Sequence, residues 1–190
     1  MDAALGALLG IGLAAACGFR IFVPFLVLSV AALGGHVPLA GGFEWIGTPV
    51  ALTAFALATL LEVGAYFLPW LDNLLDTLAT PVTVIAGMVA VAAVATELPP
   101  PLRWTVAMIA GGGVAGVVQG GSVLARATST LATGGLGNVA VSGLELVGSV
   151  VASLTAVLLP VLGGALALLV SVAAIRMMLR RRGARTGVEI

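Results

Sequence analysis

The sequence contains no lysine: its eight basic residues are all arginine. It has one cysteine, one histidine and one tyrosine among 190 residues, and only 8% of the chain is charged. Each scarcity removes a class of protein. A soluble domain carries roughly 25% charged residues, so an ordinary water-facing surface cannot be assembled from this chain. A lone cysteine, Cys17, cannot form an internal disulfide; it is expected to be a small apolar residue, and the redox compartment stays open. The lone histidine, His36, lies in a glycine-rich loop, so a histidine-based metal cluster is out of reach. There is no phosphate-cradling glycine loop and no serine nucleophile motif with a histidine partner. The polar breaks are too short to hold a soluble catalytic domain. We therefore expect no enzyme, with only an intramembrane carboxylate chemistry left open, and no metal, no cofactor and no nucleic-acid partner.

What the chain does contain is apolar sequence, 61% of it hydrophobic. The apolar runs cover about 3–33, 48–69, 80–96, 102–133, 138–158 and 161–178. Several approach or exceed the ~18–20 residues that cross a bilayer as a helix. Between them stand "GGHVPLAGGFEWIGTP", "PWLDNLLDT", "TELPPP", "TGGLGN" and "LLPVLGG", rich in turn-forming residues. Trp45, Trp70 and Trp104 all fall at run ends, where an interfacial aromatic belt belongs. Asp2 occupies the place of a signal peptide's basic region, so no cleaved leader is expected. The composition predicts an all-α polytopic membrane protein, since lipid offers no partner to unpaired backbone groups. Five arginines in "RMMLRRRGAR" follow the last run and predict a cytoplasmic C-terminus.

Two runs have an awkward length. Residues 3–33 would make a helix about 46 Å long at ~1.5 Å per residue, against a hydrocarbon core of ~30 Å. A steep tilt, a broken helix or a re-entrant hairpin would fit, with Gly18 the natural break. Run 102–133 shares the problem. Each run carries one arginine, Arg20 or Arg126, and a ladder of small residues: Gly6, Gly10, Ala14 and Gly18 in one, Gly112, Gly116 and Gly120 in the other. Such ladders let helices approach closely in lipid, within the chain or in a homo-oligomer. Each half then offers a hydroxyl three residues before a glutamate, Thr59–Glu62 and Ser142–Glu145, followed by Pro81 or Pro160. This order predicts two internal repeats, about 1–98 and 99–183, in one transmembrane domain, with 184–190 a cytoplasmic tail. Each repeat has a broken or re-entrant long segment and two transmembrane helices. If the long runs cross once each, the repeats are inverted, with Asp72 and Asp76 on the cytoplasmic side and Arg103 outside. If they are re-entrant, the repeats are parallel and these sides exchange.

Only Arg20, Glu62, Arg126 and Glu145 lie well inside apolar runs. A charge at the bilayer centre costs ~2.5–3.5 kcal/mol on insertion scales, so these residues should face a bundle interior and pair, each arginine with one glutamate. Two roles fit. Buried ion bridges could lock helix register. Alternatively, arginines beside freed helix amides form an anion site, and a glutamate in a dry setting can carry a proton; midplane sites at broken helices are a transporter device. Asp72 and Asp76 share one face of a short amphipathic helix, either as a solvated cap or as a cation-attracting vestibule. The expected function is a transporter or channel for a small solute, an anion with proton coupling being its sharpest form. A lipid transporter binding head-group phosphate and a structural subunit remain alternatives.

Gly18-Phe19-Arg20 followed by Pro24, then Glu62, then Pro69 with Asp72, Asp76 and Thr80-Pro81, and in the second half Arg126, Asn138 and Ser142-Gly-Leu-Glu145 form a recurring pattern. It resembles a family of small bacterial integral-membrane proteins known as domain of unknown function 4126, over nearly the whole chain. The resemblance implies a bacterial inner-membrane protein, adds Asn138 to the candidate site, and supplies no activity. The chain departs from that pattern at "TGGLG", at Leu146, and at Gln119 and Ser122.

Overall fold

The computed structural model describes the backbone of residues 1–65 and 69–186 and the side chains of residues 1–65 and 80–176. Among the described residues there is helix and no strand. The first long run is divided. Helix α1 spans Ala3–Cys17 and α2 spans Phe22–Leu33. The interruption falls at Gly18, where the sequence placed it. Pro24 explains why a helix restarts there: proline lacks an amide proton, which is no loss in a helix's first turn.

The two pieces form a re-entrant hairpin. An added Cβ at Gly6 or Gly10 would lie 2.8 Å from Val94 O or 2.7 Å from Val91 Cα, so the start of α1 runs along the end of helix α4 (Pro69–Val94). After α2, the Ala40 amide donates to Ala93 O at 2.8 Å, on that same stretch of α4. The chain has therefore returned to the level where α1 began. Phe25, Leu28 and Ala31 of α2 join Leu9 and Leu13 of α1 in one buried cluster with Ala90 and Val94. At ~1.5 Å per residue each arm is only about 18–23 Å long, shorter than a full crossing. The hairpin tip, 18–21, ends inside the bundle, and Arg20 is 2% exposed.

From the loop, helix α3 (Pro49–Ala65) climbs back along α2: Phe55 stacks on Phe25 at 5.4 Å, and Glu62 reaches the tip. Helix α4 descends beside α1. The second long run behaves differently. Helix α5 (Pro100–Val106), a π-helical turn over Ala107–Gly112 and helix α6 (Gly113–Thr133) join into one continuous rod of 34 residues. Thr130 stands where the first half has Pro24, and no restart signal follows Arg126. Helix α7 (Asn138–Leu158) then runs antiparallel to α1, with Gly12 against Ala156, Ser149 bonded to Ala16 and Ser142 bonded to Arg20. Helix α8 (Pro160–Thr186) rises parallel to α1, with Gly164 against Leu8 and Ala167 packed among Ile11, Ala14 and Ala15.

The long runs thus differ: the first folds back on itself within the bundle, and the second is one continuous rod. One consequence is that α3 and α7, which carry the glutamates, run in opposite directions. The bundle has a near end, holding the start of α1 with Trp45 and Trp104, and a far end, holding the α6–α7 turn and the close of α8. Phe43 and Trp104 meet near that first end at 6.2 Å.

The glycine ladders do two jobs. Gly10, Gly12, Gly87 and Gly111 press against neighbouring helices of the same chain, while Gly113, Gly120 and Gly121 meet nothing within 4 Å. Polar and apolar residues are arranged inside out. Ser29, Thr83, Gln119, Ser122, Ser149, Ser153 and Ser171 are buried together with Arg20, Arg126 and Glu145. Leu60, Leu61, Ile109, Leu131, Leu144, Leu158 and Leu169 are among many large apolar side chains left exposed. Two helical segments, Pro100–Thr133 and Asn138–Leu158, are long and apolar enough to cross a membrane.

Candidate functional site

The hairpin tip meets three helices at one level. Arg20 NH2 donates to Ser142 Oγ at 2.5 Å and to Ser142 O at 2.7 Å, both on α7. The same nitrogen is 3.8 Å from Glu145 Oε2, one turn along α7. From α6, Arg126 grips Glu145 with both arms of its fork: Nε donates to Oε1 at 3.1 Å, and NH2 donates to Oε2. Bidentate arginine–carboxylate pairs of this kind are among the stronger charge-assisted hydrogen bonds. Ser142 and Glu145 share a helix face because three residues make nearly one turn.

Glu62 has a different task. Its carboxylate accepts from the Ile21 amide at 2.8 Å and from the Phe22 amide at 3.2 Å. These are free amides at the start of α2, left without partners inside the helix. A negative group there also meets the positive end of the helix dipole. Glu62 lies within electrostatic reach of both Arg20 and Glu145. Glu62 thus carries a backbone task that the charge count did not suggest. Both guanidiniums converge on Glu145, and Glu62 closes the helix break. The cause is the hairpin, which creates amides that need an acceptor; sequence spacing cannot show that need.

The remaining candidates take lesser places. Thr59, one turn before Glu62, donates its hydroxyl to Phe55 O of its own helix at 2.8 Å. Asn138 opens α7 and donates from Nδ2 to Thr130 Oγ1 at 3.0 Å, tying the α6–α7 turn. Asp72 and Asp76 fall within α4, but their side chains lie outside the described residues. Among the described residues no group of three or more His, Cys, Asp or Glu side chains could hold a metal.

Sequence reasoning passed over part of the inner face. Ser149 Oγ donates to Ala16 O at 3.0 Å, catching a carbonyl at the end of α1, and Ser153 Oγ donates to Ser149 O at 2.7 Å. Ser142, Glu145, Ser149 and Ser153 form a buried stripe on α7, and α6 buries Gln119, Ser122 and Arg126, the last bonded to Glu145. The helical spacing of these small polar residues was the available signal.

The family model for the domain of unknown function DUF4126 matches residues 7–180. The chain belongs to this family. The match spans the hairpin, both arginines and both glutamates, so the charge cluster lies within the family's shared domain. No curated protein and no solved structure matches the chain.

Proposed function

We propose that this DUF4126 protein is a polytopic transporter of small anions in the bacterial inner membrane, coupled to protons, with Arg20, Arg126, Glu145 and Glu62 as its central site. The inside-out surface supports the membrane setting: soluble proteins rarely expose apolar area on this scale, and charged residues inside a membrane domain face its interior. The opposed α3 and α7 support an inverted relation between the two halves, as in many transporters. The arginine-rich sequence at the end of α8 supports a cytoplasmic far end.

One observation carries the functional reading. A helix is broken inside the bundle, and its break holds a guanidinium, two backbone amides covered by the Glu62 carboxylate, and a second guanidinium arriving from α6. Both carboxylates of the cluster occupy positions that suit an anion. An incoming anion would compete with Glu145 for the arginines or with Glu62 for the α2 amides, and a displaced carboxylate could take up a proton. The direct bonding of both arginines and both glutamates favours a second reading, a non-transporting subunit whose charges are locks.

The test uses purified protein in liposomes carrying a pH-sensitive dye. Gradients of chloride, nitrate, phosphate and acetate are imposed in turn. The expected result is proton movement driven by at least one anion in wild type and lost in Glu62→Gln. Absence of coupled movement with every anion, together with equal destabilisation by Glu62→Gln and Arg20→Ala, would turn the assignment to the subunit.

A further inference from the structure

We propose that the Thr83 hydroxyl on α4 and the Ser122 hydroxyl on α6 together hold a small monovalent anion, of the halide or nitrate kind, beside the hairpin tip and next to the charge cluster. This deepens the transport reading and rests on it for its purpose: it names the class of anion and the neutral groups that take hold of it.

The hydroxyls of the bundle give the first argument. Thr59, Thr105 and Thr155 each donate to the carbonyl four residues back in their own helix. The buried serines are partnered as well: Ser29 donates to Ile46 O, Ser149 to Ala16 O, Ser153 to Ser149 O and Ser171 to Ala167 O, and Ser142 accepts from Arg20. Thr83 and Ser122 depart from this habit. They are 1% and 8% exposed, and their hydroxyl oxygens have no hydrogen-bond partner among the described residues. Each stands inside a helix, where the carbonyl one turn back is within a hydroxyl's reach, and neither uses it. Buried hydroxyls are rarely left so unless a water or a ligand serves them.

Helix register gives the second argument, independent of the first: it brings the two hydroxyls to one level. Helices α4 and α6 run antiparallel. An added Cβ at Gly111 would lie 2.8 Å from Val91, one at Gly87 would lie 2.5 Å from Ala115, and one at Gly116 would lie 3.3 Å from Val84. Continued, this register sets Thr83 level with Val118 and Gln119, with Ser122 about one turn further along α6. The hairpin tip meets α6 at the same level, since an added Cβ at Gly18 would strike Val118 and lie 2.9 Å from Ala115 O. Ser122 precedes Arg126 by one turn on the same buried face, and a helical side chain leans back over the turn before it, so the Arg126 side chain leans towards Ser122.

The neighbouring charges set the class of ligand. Both oxygens of Glu145 accept from Arg126, and both oxygens of Glu62 accept from the α2 amides. A cation between Thr83 and Ser122 would meet the guanidinium side of this cluster. An anion meets two hydroxyl donors and the field of an arginine. That arginine is already engaged by Glu145, so the field suits one negative charge and does not neutralise two.

The experiment reads anion binding as a rise in Tm of the purified protein in detergent. Chloride, nitrate and sulfate are each titrated against gluconate at constant ionic strength, for wild type, Thr83→Val and Ser122→Ala. At about ten times its Kd, chloride or nitrate should raise the wild-type Tm by about 3–6 °C over gluconate. Both variants should lose that rise. In gluconate they should match or exceed wild type, because an apolar replacement removes an orphaned polar atom. Sulfate, which strengthens burial in proteins generally, should act on all three alike. A chloride or nitrate rise that survives in either variant overturns the shared site. A wild type that neither anion stabilises also overturns it and leaves the hydroxyls to water, and a sulfate rise that only the variants lose overturns the class of anion. Should one variant lose its monodisperse elution, the other decides by the same criterion. The outcome is separable from the liposome assay. Variant-sensitive binding without coupled proton movement keeps the site and removes the transporter; coupled movement with a rise that both variants retain removes the hydroxyl site alone.

Discussion

Replacing Glu145 by leucine is the most informative perturbation of the cluster. Glu145 accepts two bonds from Arg126 and stands 3.8 Å from Arg20 NH2. Its removal leaves two guanidiniums in the same buried layer without the carboxylate they share. Breaking a buried ion pair by deleting one partner typically costs ~3–5 kcal/mol. For a chain of this size each kcal/mol moves the unfolding midpoint by about 2–4 °C, so Glu145→Leu should lower Tm by roughly 6–20 °C. Arg126→Met should cost less, because Glu145 keeps Arg20. The double variant Arg126→Met/Glu145→Leu should recover part of the loss, since apolar residues of similar volume replace a buried pair at little cost. Full recovery is not expected, because Arg20 stays buried. The assay is thermal unfolding in detergent followed by tryptophan fluorescence, with size-exclusion chromatography to confirm folding. The cycle should show a coupling of at least ~1 kcal/mol. Additivity of the two single effects within ~0.5 kcal/mol would mean that Arg126 and Glu145 do not act on each other, and the cluster as described would be wrong.

Glu62→Leu removes the acceptor of two α2 amides and should destabilise by about 1–3 kcal/mol, whereas Glu62→Gln, which retains an acceptor oxygen, should stay close to wild type in the same unfolding assay. Ser142→Ala takes one of two bonds from Arg20 but leaves the Ser142 carbonyl, so its Tm loss should be smaller than that of Glu145→Leu. Gly10→Ala sets a methyl 2.7 Å from Val91 Cα and should cost roughly 1–3 kcal/mol through helix separation, while Gly120→Ala, with open space around it, should be neutral or should gain up to ~1 kcal/mol of helix propensity; equal effects at the two glycines would contradict the α1–α4 crossing.

The sequence exposed the helical content, the break at Gly18 and the four charges of the cluster, because each is a local signal: an apolar run, a glycine–proline pair, an ionisable group far from any run end. It did not expose the direction of the chain after the break. A hairpin and a kinked crossing need the same residues at 18–24, and only the docking of Ala40 on Ala93 separates them. Arg20 and Arg126 both approach Glu145, but their backbones differ, since Thr130 offers none of Pro24's restart signal. The backbone role of Glu62 was hidden for a related reason. Counting charges balances Arg20 and Arg126 against Glu62 and Glu145, yet free amides at a helix start are invisible in a charge count, and they drew Glu62 to themselves. Asn138 entered by resemblance rather than by its own chemistry, and the structure uses it to tie a turn. Ser149 and Ser153 were missed because serine in a membrane-type helix is easily read as a small residue.

The placement of Glu62 bears on the choice between lock and transporter. A lock is strongest when opposite charges meet directly in equal number, and apolar substitutes often serve as well or better. Here both guanidiniums approach Glu145, and Glu62 accepts from two backbone amides. Those amides exist only because the first long run turns back inside the bundle. A continuous helix through the same residues would satisfy them without Glu62. The fold has instead exposed backbone donors at its centre and covered them with a side chain that can be neutralised by a single proton. Once Glu62 is protonated, its hold on the Ile21 and Phe22 amides weakens, and the site formed by Arg20, Arg126 and those amides gains a net positive charge. In the proposed function an anion restores the balance, and proton uptake at Glu62 and anion entry would then be one coupled event. Glu62→Gln fixes that neutral form, and it should admit an anion without moving a proton; a variant that still couples the two would place the proton on another group, with Glu145 the next to test.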